Sequence, residues 1–229
     1  MTDQELLTAI RRCRPADLAD ALDALGLVNT GSMSPAMRPL RPGMSMAGFA
    51  YTVKLLPAKR AVRSCRNLEE YYGELTRWCE ETYGFAAGFA PGQVVVIDAD
   101  GYPGGIWGSA IALEAMTKGV AGAVIDGACR DSYEVNLEGA MVWCTVRTFN
   151  HVYARLTCGG VNVPVSCAGV LVNPGDVICA DDDGVLVIPR GRAEEAAGLA
   201  LGIRRDDQRA RAKFYHELGR PRDETLGEE

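Results

Sequence analysis

An arginine, an aspartate and a glutamate stand close together in the middle of the chain, where Arg130, Asp131 and Glu134 form the sequence R-D-x-x-E. A guanidinium is a permanent planar cation that binds two oxygens of a carboxylate at once. Carboxylates are ligands that Mg²⁺ and Mn²⁺ prefer, and Glu134 is placed to orient a water bound to a cation on Asp131. These residue types indicate metal-assisted chemistry on a small carboxylated molecule.

A glycine-rich stretch precedes this motif and ends at Gly108, immediately before a predicted helix over residues 109–118. Glycine lets the backbone approach a ligand closely. The first N–H groups of a helix have no acceptor within the helix and attract anions. The sequence therefore predicts a cradle for a substrate carboxylate, formed by Gly108, Ser109, Ala110 and Ile111.

The predicted connectivity brings these two segments together. Apolar runs at residues 93–98 and 121–126 read as buried strands, and the helix over 109–118 lies between them in sequence. A strand–helix–strand unit places its two strands parallel, so both carboxyl ends lie at one edge of the sheet. We expect the loops 99–108 and 127–131 to meet there, where α/β folds usually bind ligands.

Each feature also has a structural interpretation. Asp131 is a residue type that caps the next helix, and a lone glycine-rich loop is a weak signal. Cys129 has no visible base beside it, which disfavours a nucleophile. The run Asp181–Asp183 lacks the acidic spacing of a calcium loop and predicts a turn. Only the convergence of Arg130, Asp131 and the helix start favours a functional site.

Composition narrows the class of protein. Of the 229 residues, 48% are hydrophobic and 24% charged, as in ordinary globular proteins. The formal net charge of −6 argues against a nucleic-acid partner, and no apolar run is long enough for a membrane span. The beginning of the sequence lacks the apolar core of a secretory signal, which predicts a cytoplasmic protein with reduced thiols at its eight cysteines.

The remaining pattern predicts one α/β domain over residues 1–229, with a mixed central sheet flanked by N- and C-terminal helices. The aromatic residues within 67–83 recur at helical spacing and are interpreted as core. The acidic tail, 219–229, is expected to be loose. Helices are predicted over 3–12, 15–25, 67–83, 109–118, 132–138 and 192–218, and strands over 47–56, 93–98, 121–126, 141–146, 176–180 and 185–188.

Motifs along most of the chain resemble the RraA-like family, which includes 4-hydroxy-4-methyl-2-oxoglutarate aldolases and RraA ribonuclease regulators. The more specific motif is R-D-x-x-E at 130–134. The others are A-D-A-L-D-A-L-G at 19–26, R-P-L-R-P-G at 38–43, A-G-F-A-Y-T-V at 47–53, W-G at 107–108, G-V-A-G-A-V-I-D-G-A-C-R-D at 119–131 and V-N-P-G-D-V-I-C-A-D-D-D-G-V-L-V-I-P at 172–189.

This resemblance implies a swivelling β/β/α fold, homotrimers or homohexamers, and a site between subunits. It implies that Gly108 to Ile111 and Arg130 bind the pyruvoyl part of a small 2-oxo acid, while Asp131 ligates Mg²⁺ or Mn²⁺. An acidic residue of the C-terminal helix of a neighbouring subunit also acts in the family's aldolases, and Asp206 is its nearest counterpart. The chain departs from the family pattern at Ser109, where an acidic residue is usual, and in a longer segment over 58–89.

The implied activity is that of a metal-dependent pyruvate aldolase or oxo-acid decarboxylase. Such a lyase cleaves a C–C bond of a 2-oxo di- or tricarboxylate through a pyruvate enolate. Two alternatives stay open at this point. One is a non-catalytic regulator that binds a ribonuclease, and the other is a different metal-dependent reaction through an enolate, such as a hydratase or isomerase step.

Overall fold

A mixed β-sheet of nine strands organises the chain, and a separate two-stranded sheet accompanies it. The computed structural model describes residues 1–59 and 61–227. The helices are α1 (Asp3–Arg11), α2 (Pro15–Ala24), α3 (Leu68–Thr82), α4 (Ser109–Thr117), α5 (Ser132–Leu137) and α6 (Ala193–Glu217). The strands are β1 (Arg38–Pro39), β2 (Met46–Pro57), β3 (Gln93–Asp98), β4 (Gly105–Trp107), β5 (Gly122–Cys129), β6 (Val142–Arg147), β7 (Leu156–Val161), β8 (Val165–Cys167), β9 (Val170–Val172), β10 (Val177–Ala180) and β11 (Val185–Ile188).

The large sheet is parallel at its centre and antiparallel towards its ends. Its main order is β1-β6-β5-β3-β2-β10-β11, with β4 beside β5 and β7 beside β2. Strands β2, β3, β5 and β6 run parallel, while β10 and β11 form an antiparallel hairpin. This α/β domain with a mixed sheet is the predicted fold class, and β3, α4 and β5 form the predicted strand–helix–strand unit.

The terminal helices cover one end of the sheet. Thr2 begins α1 with a capping box and Pro15 stands at the start of α2, both of which are favourable helix starts. The apolar sides of α1, α2 and α6 pack with β10 and β11 into a common core. That core includes Leu6, Ile10, Leu18, Val177, Ile188 and Ala200.

Two predicted boundaries at the sheet edge were wrong. The segment 127–131 was expected to be a loop, but β5 continues to Cys129. The expected loop 99–108 contains β4, which pairs in parallel with the end of β5. Gly127 adopts a φ of 157°, and the register of β5 against β6 shifts between Ile125 and Ala128, which allows the strand to continue past the irregularity.

Two further predictions concerned packing. In α3 the side chain of Trp78 is buried, as the core interpretation of the aromatic residues predicts, but Tyr72 is 57% exposed, so that interpretation was wrong for Tyr72. The C-terminal tail, predicted to be loose, contacts α6 within its described part, 219–227. Leu226 is buried and Arg211 donates to the carbonyl of Thr225, while the mobility of the tail stays a prediction.

The eight cysteines are free thiols, and five of them are buried. No helix within residues 1–59 and 61–227 combines the length and the apolar character that a membrane crossing requires.

Candidate functional site

The carboxyl ends of β4 and β5 place Arg130 beside the start of α4. The N–H of Arg130 donates to the carbonyl of Trp107 at 2.8 Å, which ties the residue after β5 to the last residue of β4. The carbonyl of Cys129 accepts from Thr148 at 3.0 Å on the other side. These backbone bonds fix the position from which the arginine side chain starts, close to Gly108, the N-cap of α4.

Two glycines make room for the arginine and the aspartate. A Cβ at Gly108 would lie 2.6 Å from Oδ2 of Asp131 and 3.2 Å from Cγ of Arg130. A Cβ at Gly105 would lie 2.9 Å from Cβ and Cγ of Arg130. A Cβ at either position would displace the neighbouring side chain, so the two glycines preserve the observed arrangement of Arg130 and Asp131.

Asp131 has an unusual backbone conformation. Its φ of 54° and ψ of 38° lie in the left-handed region, which is sparsely populated by residues other than glycine, although aspartate tolerates it better than most. Its carbonyl accepts from the N–H of Val135 in the first turn of α5. The side chain does not cap α5. It is therefore free to lie over Gly108.

Arg130 and Asp131 form an ion pair through one nitrogen only. Nε of Arg130 lies 3.2 Å from each carboxylate oxygen of Asp131. The side chains are 31% and 35% exposed. The two terminal guanidinium nitrogens of Arg130 make no hydrogen bond within the described part of the chain, and they remain available to a ligand.

The start of α4 supplies a second anion-binding element. Its first N–H groups, on Ser109, Ala110 and Ile111, have no intrahelical acceptor, and no side chain caps this helix start. The hydroxyl of Ser109 donates instead to Glu138 at the end of α5. The helix start and Arg130 therefore present positive charge in one place.

These groups open into a cavity of about 250 Å³. One side of it is formed by the arginine, the aspartate and the start of α4. The other side is formed by α3, the residue that follows it, and the segment after β6. The cavity is lined by Cys79, Tyr83, Gly105, Gly108, Ala110, Ile111, Glu114, Arg130, Asp131 and His151.

Cys79, Tyr83 and His151 form the side of the cavity opposite Arg130, which we call the far wall. These three side chains are uncharged at neutral pH. Burial, together with the positive charges of Arg130 and Arg155, lowers the pKa of His151 to about 4. The His151 Nδ1 accepts from the N–H of Tyr153 at 2.8 Å, so the neutral ring carries its proton on Nε2. Burial also raises the pKa values of Tyr83 and of the Cys79 thiol.

Cys129 is not suited to act as a nucleophile at this site. It is fully buried, and burial together with the neighbouring Cys144 and Asp131 raises the pKa of its thiol to about 12. A thiol that stays protonated at neutral pH is a poor nucleophile.

The structure brings together most of the residues predicted for the site, and it places two of them elsewhere. Glu134 is exposed on the first turn of α5 and does not line the cavity. Asp206 lies on α6, is 80% exposed and pairs with Arg209 at 3.5 Å. It does not reach the cavity within one chain, and a role in the site of a neighbouring subunit stays a prediction.

The sequence did not predict that Cys79, Tyr83 and His151 would line the cavity. Cys79 and Tyr83 stand on a segment that was read as core, and His151 had no neighbouring motif. The signal available in the sequence was the longer segment over 58–89, which contains both Cys79 and Tyr83. The spacing of its residues gave no indication of which side would face the cavity.

A metal ion would find few protein ligands here. No group of three or more His, Cys, Asp or Glu side chains in residues 1–59 and 61–227 is arranged to hold one. Asp131 offers the one carboxylate beside Arg130, and Glu114, the other acid lining the cavity, pairs with Lys118 at 2.8 Å.

Comparison with known proteins gives a consistent family assignment. The family model RraA-like, described as Aldolase/RraA, matches residues 15–187. This range includes α4, α5, the whole cavity lining and all of the large sheet except the last residue of β11.

Two relatives and one solved structure illustrate the range of similar proteins. Protein DlpA of Legionella pneumophila is 32% identical over 91% of this chain, but the chain spans only 31% of the length of DlpA. A protein of Halalkalibacterium halodurans with the provisional name 4-hydroxy-4-methyl-2-oxoglutarate aldolase is 34% identical, over 89% of this chain and 86% of its own. The structure of Streptomyces coelicolor RraAS2, described as an unusual member of the RNase ES inhibitor RraA protein family, is 29% identical. It superposes with a TM-score of 0.76, over 92% of this chain and 97% of that one.

Proposed function

Because the chain belongs to the RraA-like, Aldolase/RraA family, we propose that it is a divalent-metal-dependent lyase that cleaves a C–C bond of a small 2-oxo acid. The reactions to test first are aldol cleavage of the 4-hydroxy-4-methyl-2-oxoglutarate type, suggested by the name of the Halalkalibacterium relative, and decarboxylation of oxaloacetate. Both would release pyruvate through its enolate. The substrates of this class are 2-oxo di- and tricarboxylates.

The observation that supports this proposal is the free end of the Arg130 guanidinium. Asp131 engages Nε, while both terminal nitrogens remain without a hydrogen bond to the described chain. A planar pair of donors matches the adjacent oxygens of a 2-oxo carboxylate. The uncapped start of α4 is close enough to share that carboxylate, because Gly108 lies against both Asp131 and Arg130.

The donor set fits a cation of the Mg²⁺ type. Mg²⁺ keeps several waters and is usually bound by one or two carboxylates together with oxygens of the substrate. Asp131 would hold it, and the ion would polarise the 2-oxo group as a Lewis acid.

The chain's own residues perform the remaining work. The amides of Ser109, Ala110 and Ile111 bind the carboxylate and fix the orientation of the substrate. Arg130 donates to the 2-oxo oxygen and stabilises the negative charge that develops there when the C3–C4 bond breaks. In aldol cleavage the 4-hydroxyl loses its proton, the bonding electrons pass to C3, and C3 then takes a proton to give pyruvate. We assign the proton to water, because Asp131 would hold the cation, Glu114 pairs with Lys118, and the lowered pKa of His151 makes its ring a weak base.

The test is pyruvate release from a panel of 2-oxo acids, with Mg²⁺ or Mn²⁺ and with EDTA. We expect activity that EDTA abolishes and that Arg130→Ala lowers by about 10²–10³, the usual effect of losing one charge-stabilising donor. Arg192→Ala is the matched control. Its Nε also donates to a single acid, Glu195, and it is 38% exposed, but it lies at the start of α6, outside the cavity lining.

Two outcomes would contradict the proposal. Full activity of Arg130→Ala would remove the arginine from the reaction. Absence of metal-dependent turnover across the panel, together with capture of a ribonuclease by the purified protein, would favour the regulator that the RraAS2 likeness suggests.

A further inference from the structure

We infer that the protein has a second ligand site, which binds a small anion with two or more linked phosphate groups. The site is a cavity of about 750 Å³ bordered by the end of α1 and by α6, and it shares no lining residue with the cavity at Arg130. The inference goes beyond the proposed lyase activity and does not depend on it.

The first observation is the charge of the lining. Arg11 and Arg12 line the cavity from the end of α1, and Arg204 and Arg205 line it from α6. All the charged side chains that the described part of the chain contributes to this lining are therefore arginines, although the formal net charge of the chain is −6. Guanidinium groups around one space repel one another, and an anion between them removes that repulsion.

The second observation is that two of the arginines are anchored by the fold. Nη2 of Arg11 donates to the carbonyl of Ala47 in β2 at 3.1 Å. Nη1 of Arg204 donates to the buried carboxylate of Asp17 at 3.4 Å. A guanidinium carries five N–H donors, so each arginine keeps donors for a ligand after the anchoring bond is made.

The third observation is the availability of the other two arginines. The guanidinium groups of Arg12 and Arg205 make no hydrogen bond or ion pair within residues 1–59 and 61–227, and both residues are exposed. A phosphate group has three acceptor oxygens and carries up to about two negative charges at neutral pH, so it can be shared by several guanidinium groups. A carboxylate has one charge and two oxygens, which a single arginine satisfies. Four arginines around one cavity therefore favour linked phosphates.

The fourth observation is the space that a glycine of α6 leaves. Gly198 lines the cavity from the interior of the helix, and no atom lies within 4 Å of the place where its Cβ would be. Glycine is an unfavourable residue in a helix interior, and packing within the chain does not require it here. Close approach of a ligand to the helix gives this glycine a role.

Calorimetry and thermal unfolding with tripolyphosphate test the inference on the full chain, with EDTA present to exclude metal-mediated binding. We expect saturable binding to one site per chain. At a hundredfold excess over the dissociation constant, Tm should rise by about 5 °C or more, because the ligand binds the folded state and links α1 to α6.

Arginine variants locate the binding site. Arg205→Ala is expected to weaken tripolyphosphate binding by about tenfold or more, the usual effect of losing a charge-assisted pair of hydrogen bonds. Arg209→Ala is the matched control, because it removes the same charge from α6 at a residue that is 80% exposed and outside the lining. Arg130→Ala should also leave this binding unchanged. Equal weakening by all three variants would overturn the inference, since it would indicate attraction to overall charge alone.

Glycine variants test the cavity without changing any charge. Gly198→Leu should fill the space and weaken tripolyphosphate binding by about tenfold or more. Gly202→Leu makes the same change at another glycine of α6 that has no atom within 4 Å of its missing Cβ but lies outside the lining. It should leave the dissociation constant within about twofold of the wild type. Circular dichroism verifies that both variants fold, and a folded Gly198→Leu with wild-type affinity would overturn the inference.

Three further ligand arms identify the chemistry. Adenosine triphosphate should bind at least as tightly as tripolyphosphate if the source is a nucleotide, and more weakly if it is a free polyphosphate. Citrate, a tricarboxylate, should bind at least about tenfold more weakly, and equal or tighter binding of citrate would overturn the assignment to phosphate. Glu228 and Glu229 follow Gly227, which lines the cavity, and lie outside the described residues. Binding of tripolyphosphate only after both are changed to glutamine would assign the cavity to the acidic end of the chain and overturn the inference, as would no binding in any form.

Discussion

Two arginine–aspartate pairs in this molecule use the same residue types for different ends. In the pair between Arg14 and Asp17, the aspartate is 1% exposed and accepts from Nε, Nη2 and the backbone N–H of Arg14. Arg204 of α6 approaches it at 3.4 Å. In the pair between Arg130 and Asp131, both side chains are about one-third exposed and share only Nε.

The difference lies in how many donors remain free. At Asp17 burial alone would raise the pKa, but the hydrogen bonds and positive charge of Arg14 and Arg204 outweigh it and leave the pKa lowered. This carboxylate is satisfied and joins α2 to α6. At Asp131 the carboxylate and the free end of Arg130 face a cavity. A satisfied pair stabilises the fold, whereas an unsatisfied one is available to a ligand.

The largest expected effect is on activity, from Asp131→Asn. Asparagine tolerates the left-handed backbone and keeps the size of the side chain, but it is a much weaker metal ligand. We expect a loss of at least about a hundredfold in kcat/KM, roughly 3 kcal/mol of transition-state stabilisation. The unfolding free energy should change by less than about 0.5 kcal/mol. Steady-state assays of pyruvate release and chemical denaturation measure the two quantities.

Asp100→Asn is the matched control for this change. Asp100 also has a positive φ, 51°, at the end of a parallel strand, but it lies outside the cavity lining. If it lowered activity as much as Asp131→Asn, backbone effects at this edge rather than the carboxylate would explain both results.

The same aspartate-to-asparagine change in the Arg14–Asp17 pair should lower stability and leave activity unchanged, the opposite of Asp131→Asn. Asp17→Asn removes the buried carboxylate shared by Arg14 and Arg204, although Arg14 keeps its ion pair with Asp207 at 3.0 Å. We expect about 2–3 kcal/mol of lost stability, somewhat below the usual cost because both arginines are partly exposed and one of them keeps an anion. For a domain of this size that lowers Tm by roughly 5–10 °C. Activity at a temperature well below Tm should be unchanged. Reduced kcat/KM in a fully folded Asp17→Asn protein would break the distinction between the two pairs.

The hydrophobic periodicity and the turn residues that bound each segment were sufficient to predict several helices and strands. The continuous apolar strands β3 and β5, the intervening α4 and the parallel edge all follow from local patterns and connectivity. They bring Arg130 to Gly108 without any contact being known in advance. The extension of β5 to Cys129 could not be foreseen, because it depends on pairing with β4, a contact between segments about twenty residues apart.

The far wall of the cavity depends on tertiary packing in the same way. The helical spacing of α3 predicts a helix, but which residues it buries is decided by the neighbours against which it docks. Trp78 is buried while Tyr72 is exposed, and Tyr83 reaches the cavity from the end of the helix. Likewise, R-D-x-x-E predicted Asp131 and Glu134 together, but Asp131 lies against Gly108 while Glu134 is exposed and outside the cavity lining.

A smaller effect is expected at the glycine beneath the Arg130–Asp131 pair. In Gly108→Ala the new Cβ would displace the Asp131 carboxylate, since it would lie 2.6 Å from Oδ2. We expect kcat/KM to fall by about tenfold, the equivalent of about 1.4 kcal/mol, with a modest change in stability. Gly73→Ala is the control. Gly73 lies inside α3 with no atom near its missing Cβ, and the same substitution there should stabilise the protein by about 0.5–1 kcal/mol. Unchanged activity in Gly108→Ala would mean that the position of the carboxylate is not critical.

The smallest expected effect is on the pH dependence of the unfolding free energy, which should differ between His151 in the cavity and Asp17 in the buried ion pair. Because the pKa of His151 is lowered to about 4 in the folded protein, the unfolded chain takes up a proton near its ordinary value of about 6.5 while the folded chain does not. The contribution of His151 to the unfolding free energy is complete above pH 6.5. It declines as the pH falls towards 4, by about 1 kcal/mol when screening by solvent is allowed for. Asp17, whose pKa is lowered, keeps its contribution until the pH falls below the ordinary pKa of 3.8 for an aspartate.

Denaturation at pH 7, 5.5 and 4.5 should therefore show a decline in the unfolding free energy that His151→Asn flattens, because asparagine can still accept from Tyr153 but does not titrate. His216→Asn, on an exposed position of α6, should leave the decline intact. An identical decline in His151→Asn would assign the loss of stability to other groups and leave the far wall without a role in it.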